Sequence, residues 1–63
     1  MIGKTFVYKI QDGFLVGIVQ KIIEKHASVY FTSFVDEKQN QSPLRQAFSQ
    51  LTLIKDLITP VYA

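Results

Sequence analysis

Glu24, His26 and Ser28 bring an acid, a base and a hydroxyl onto alternate positions, the residue types of a nucleophilic triad. On a continuous strand all three would share one face. Residues two apart on a strand sit roughly 6.5 Å apart, however, beyond the hydrogen-bond reach that a nucleophile and its base require. The stretch reads better as a turn carrying a solvated histidine, and no catalysis is assigned to it. The carboxylates Asp12, Glu24, Asp36, Glu37 and Asp56 show no recognised spacing of metal ligands. Asp36 with Glu37 reads as a pair that keeps a loop soluble. Gly3, Gly13 and Gly17 do not form a phosphate-cradling loop. The expectation is a chain that is not an enzyme and that carries no cofactor and no metal.

Two patterns suited to binding remain. Lys9, Phe14, Lys21, Lys25 and Tyr30 interleave cations for phosphates with aromatic rings on which bases can stack. The plainer reading makes Phe14 and Tyr30 packing residues and the lysines solubilising groups that protect strand edges. The second pattern is an apolar run on alternate positions: Val7, Phe14, Val16, Ile18 and Ile22 are too apolar to be left in water. Either the C-terminal segment covers them through Leu44, Phe48 and Leu51, or a partner docks there. The candidate partner-contact residues are Lys9, Phe14, Val16, Ile18, Lys21 and Tyr30.

The elements that would position these side chains are mostly strands. Val, Ile, Phe and Tyr crowd the first 35 residues, and Asp12-Gly13 is a preferred pair for a two-residue type I′ hairpin turn. Strands are expected at about Lys4 to Gln11 and Phe14 to Lys25. With that turn, Gln11 faces Phe14, Tyr8 faces Gly17 and Phe6 faces Val19. One face then carries Phe6, Tyr8, Ile10, Leu15, Gly17, Val19 and Ile23, and makes the better core. Gly17 in so long a strand predicts a bend or bulge, with an aromatic lying across it. A third strand over about Ser28 to Val35 completes a meander, and Asp36 to Ser42 reads as a polar loop. Ser42-Pro43 is a good helix start. Leu44, Ala47, Phe48 and Leu51 follow at helical spacing. Two continuations stay open: a helical turn followed by a strand near Thr52-Leu53-Ile54, or one helix running through Ile54 and Ile58 to Pro60.

The order of meander, polar loop, helical turn and final strand resembles the small SH3-like barrels, including KOW-type and Tudor-type modules. The residues that carry the resemblance are Asp12-Gly13-Phe14-Leu15-Val16-Gly17-Ile18-Val19-Gln20-Lys21-Ile22 and the closing Phe48-Ser49-Gln50-Leu51-Thr52-Leu53-Ile54. It implies a mainly β fold, a small antiparallel SH3-like barrel with a short helical turn before the last strand. The alternative is an α+β fold with a three-stranded meander and one C-terminal helix. Signalling SH3 domains bind peptides with a tryptophan, and this chain has none. The resemblance therefore implies a fold without naming a ligand.

Sixty-three residues make one domain. A unit of this size buries only roughly 60% of the surface its unfolded chain exposes, and with no cysteine and one histidine it has neither disulfide nor ordinary structural metal to help. Forty-eight per cent of the residues are hydrophobic and only 19% are charged, so apolar surface should remain uncovered in the monomer. The net charge of +2 is spread along the chain and does not by itself imply nucleic acid. The start lacks the apolar stretch of a signal peptide, and no run approaches the ~20 residues that span a bilayer, so a cytoplasmic protein is expected. The function expected is a noncatalytic protein-interaction module: an adaptor, regulator or inhibitor whose partner is another protein or a second copy in a homodimer. The alternative is a small nucleic-acid-binding barrel.

Overall fold

The computed structural model describes residues 1–60. The chain forms β1 (Thr5–Ile10), β2 (Gly13–Ile23), β3 (His26–Asp36) and β4 (Gln41–Leu53), then a 3-10 turn (Ile54–Asp56) and a short β5 (Leu57–Ile58). All neighbours are antiparallel, in the order β4-β3-β2-β1-β5. The mainly β expectation holds. The sheet is open, with β4 and β5 at its edges, rather than closed as the barrel expectation required.

The first hairpin turns one step earlier than the sequence suggests. Ile10 pairs with Gly13, so the turn is Gln11-Asp12, and Tyr8 faces Leu15 while Phe6 faces Gly17. Neither turn residue takes the positive φ that a type I′ turn demands. The cause lies in Gly13: a Cβ there would run into the Val35 backbone carbonyl and approach the Phe34 ring to 3.1 Å. The glycine is needed where β2 meets β3, not in the turn. Because the pairing moves by two residues, the period of two leaves every side chain paired between β1 and β2 on its predicted face.

Further along, β2 and β3 lose register between Val16 and Gly17 and again between Val19 and Lys21. Thr32 and Gln20 are the residues left without a partner. Such bulges bend a strand and sharpen its twist, and Gly17 lies at the first of them. The second bulge reverses the alternation, so Ile22 pairs with the buried Ala27 while Ile23 pairs with His26 on the opposite side. The predicted placements of Ile22 and Ile23 are therefore exchanged.

Residues 43–51 are strand, not helix. Ala27, Val29 and Phe31 of β3 are fully buried, and their backbone groups on the side away from β2 need partners. β4 supplies them, from His26 opposite Leu53 to Val35 opposite Gln41. That demand outweighs the helical spacing. The irregular stretch between Phe48 and Pro43 absorbs the misfit between the two strands and lets Leu44 reach the core. The helical turn before the last strand exists, but at Ile54–Asp56, tied down by the Ile54 amide donating to the Lys25 carbonyl at 2.9 Å.

One core results. Val19, Ala27, Val29 and Phe31 form its buried centre, and Phe6, Tyr8, Leu15, Leu44, Ile54 and Leu57 pack around it. The Phe31 ring lies 6.1 Å from Tyr8 and 5.5 Å from Phe48, both tilted, a favoured range for aromatic pairs. Thr52 is buried as well, its hydroxyl donating to the Ala27 carbonyl at 3.4 Å.

The loop after β3 is held by one side chain. The Asp36 carboxylate accepts from the amides of Lys38 and Asn40, each at 2.9 Å. This is how an aspartate closes a tight turn. Gln39 takes φ 66 within it.

Candidate interaction surface

Residues paired directly across a sheet share a face, so the registers assign the face away from the core row by row. One row is Lys9, Phe14, Val35 and Gln41; the next is Val7, Val16, Ser33 and Pro43; then come Ile18, Tyr30 and Ser49, followed by Lys21, Ser28 and Leu51, and by Ile23, His26 and Leu53. All six predicted contact residues lie on this outer face. The bend of β2 separates them into two groups.

The first group is Lys9, Phe14 and Val16. Val16 is buried, and Phe14 is half-buried. With Val7, Val35, Ile58 and Pro60, Phe14 and Val16 line a shallow groove of about 400 Å³. The Lys9 ammonium sits 5.0 Å from the centre of the Phe14 ring and donates to the Ile10 carbonyl at 2.8 Å. An exposed contact of this kind is worth roughly 0.5–1 kcal/mol, and it holds the lysine against its own strand rather than aiming it outward.

The second group is Ile18, Tyr30 and Lys21. Ile18 and Tyr30 face each other across β2 and β3, and both stay open to solvent, at 42% and 39% exposure. Lys21 is exposed one row further on. Leu51 and Ile23 extend this apolar surface at 51% and 45% exposure. The Ser49 hydroxyl donates to the Gln20 side chain at 3.1 Å along its margin.

The C-terminal segment does not close this face. Leu44 packs on the core and Leu51 points outward beside Tyr30's row, while of the described residues after β4 Ile58, Thr59 and Pro60 reach the groove. Sequence reasoning missed Leu51 and Ile23 as members of the face. Leu51 was hidden by its helical spacing, and Ile23 changes side only because Gln20 bulges. Val35 was visible as a strand residue, but its place beside Phe14 depends on the register.

Glu24 sits in the tight turn between β2 and β3, whereas His26 and Ser28 point outward from β3. No hydrogen bond joins these three side chains. Among the described residues no three His, Asp or Glu side chains converge as metal ligands would, and no helix is long and apolar enough to cross a membrane. Comparison with protein-family models, with curated proteins and with solved structures finds no match.

Proposed function

We propose that this chain is a noncatalytic protein-interaction module, an adaptor, regulator or inhibitor, that docks a partner protein on the outer face of β2 and β3. The single observation that supports this reading is the Ile18–Tyr30 pair: two large side chains, directly opposed at mid-sheet, are each about two-fifths exposed where either could have been polar at no cost to the core. Ile23 and Leu51 widen the apolar area, and Lys21 stands at its rim. Apolar centres with polar margins are the usual anatomy of a protein interface. The order of meander, polar loop, β4, 3-10 turn and a closing strand on β1 supports an SH3-like barrel left open between β4 and β5 as the scaffold.

The test compares the wild-type chain with an Ile18→Glu/Tyr30→Ser variant, both immobilised and exposed to extract from the source cells. A protein retained by the first and lost by the second, at moderate salt, is the expected result. Identical retention by both would remove the reading.

A second reading, a nucleic-acid-binding barrel, draws on Lys21 and Tyr30 sharing the same face. Labelled RNA and DNA titrated at low and moderate salt separate the two, since phosphate contacts weaken steeply as salt rises. No binding at low salt eliminates it.

A further inference from the structure

We infer that two copies of this chain pair through β4, edge to edge and antiparallel, about a two-fold axis at Leu51. β4 is one edge of the sheet, so among the described residues one side of its backbone has no strand beside it. An unguarded edge is a template for another strand. Proteins protect such edges with prolines, charges and bulges, and the first half of β4 has all three: Pro43, Arg45 and the irregular stretch before Phe48. The opposite edge, β5, is two residues long and is followed closely by Pro60. From Phe48 to Leu53 the guards stop. This stretch pairs regularly with β3, contains neither proline nor glycine, and carries no charged residue. Phe48, Ser49, Gln50 and Leu51 are four consecutive exposed residues, so no described residue covers them.

The occupant follows from charge and register. The chain carries a net charge of +2, so two copies repel except where they meet through a neutral surface, and Phe48–Leu53 is neutral. In an antiparallel pair, opposed residues point their backbone groups the same way; two identical strands can therefore centre their axis on Gln50 or on Leu51, but not between them. An axis on Gln50 sets Ser49 against Leu51 on the outer face, a polar side chain against an apolar one. An axis on Leu51 opposes no like charges and sets Leu51 against Leu51, Gln50 against Thr52 and Ser49 against Leu53. The outer-face band of Ile18, Tyr30 and Leu51 then runs without a break from one copy into the next. This interface shares Leu51 with the mid-sheet docking surface but is built on the backbone edge of β4, so it stands whether or not that surface binds a partner.

Sedimentation of the full chain over a wide range of concentration tests the inference. Wild type is expected to move from monomer to dimer, and Leu51→Lys and Leu51→Glu to weaken the dimer at least about tenfold each, since like charges then meet at the axis. Mixing the Lys and Glu variants restores the dimer, because opposite charges then face each other; failure to restore it overturns the Leu51 axis. Hydrogen exchange on wild type needs no variant: half of the amides from Phe48 to Leu53 should lose protection on dilution. A wild type that stays monomeric throughout, or a folded Leu51→Lys that dimerises as wild type does, overturns the pairing.

Discussion

Gly17 of β2 and Phe31 of β3 face each other so closely that a methyl group on Gly17 would come within 2.9 Å of the Phe31 ring, and within 2.7 Å of both the Tyr30 carbonyl and the Val29 side chain. The glycine lets the bent strand lie against the most buried aromatic of the core. Gly17→Ala forces β2 away from β3 at the bulge, and the cost is that of overpacking, about 1–3 kcal/mol. Urea unfolding should show a lower midpoint with an unchanged slope. A variant as stable as wild type would mean the two strands are not held at this distance.

Phe31 is fully buried and touches both Tyr8 and Phe48. Truncation of such a ring costs about 3–5 kcal/mol, most of the stability that a domain this size holds. Phe31→Ala is expected to be unfolded by circular dichroism. Phe31→Leu is expected to fold with a reduced melting temperature.

Glu24 takes φ 55 in the turn between β2 and β3, a left-handed conformation that costs a residue with a Cβ about 1–2 kcal/mol. Glycine adopts it freely but adds freedom to the unfolded chain. The balance favours Glu24→Gly by about 0.5–1 kcal/mol, read as a higher melting temperature. A loss of stability would show that the Glu24 side chain contributes more than its backbone strain takes away.

Asp36 organises the loop between β3 and β4 through two hydrogen bonds from backbone amides. Removing the carboxylate in Asp36→Ala leaves both amides to water, at a cost of about 1 kcal/mol in an exposed loop. Amides of Lys38 and Asn40 should exchange faster while those of β2 and β3 hold. Uniform loss of protection would instead make the loop part of the cooperative core.

Ile18 and Tyr30 contribute little to the core, both being exposed on the face away from it. Ile18→Glu or Tyr30→Ser should alter stability within about 0.5 kcal/mol, as surface substitutions do. A drop of several kcal/mol on thermal unfolding would place these side chains in the folding core and take away the reason for assigning them to a partner.

How far the sequence reaches can be read from particular residues. The alternation of Phe6, Tyr8, Leu15 and Val19 was enough to place the core face, because strand periodicity survives a pairing shift of two. Gly17 announced its bend for the same local reason: nothing else in a strand tolerates so close an approach. The meander and the polar loop at Asp36 were also legible, since turn chemistry and apolar runs are encoded by neighbours along the chain. Lys9, Phe14, Val16 and Ile18 were readable as one face on the same grounds, whereas Lys21 joins them only through the bulge at Gln20 and Tyr30 only through the pairing of β3 with β2.

What neighbours along the chain cannot encode is the demand of a distant strand. Leu44, Ala47, Phe48 and Leu51 have helical spacing, yet the unpaired side of β3 draws them into β4, and only the assembled sheet contains that requirement. The single bulge at Gln20 exchanges Ile22 and Ile23 between faces, and Gly13 leaves the turn because Val35 lies opposite it. Local residue types decided which segments are strands and which surface is apolar; long-range backbone pairing decided how β4 is used and where the sheet ends.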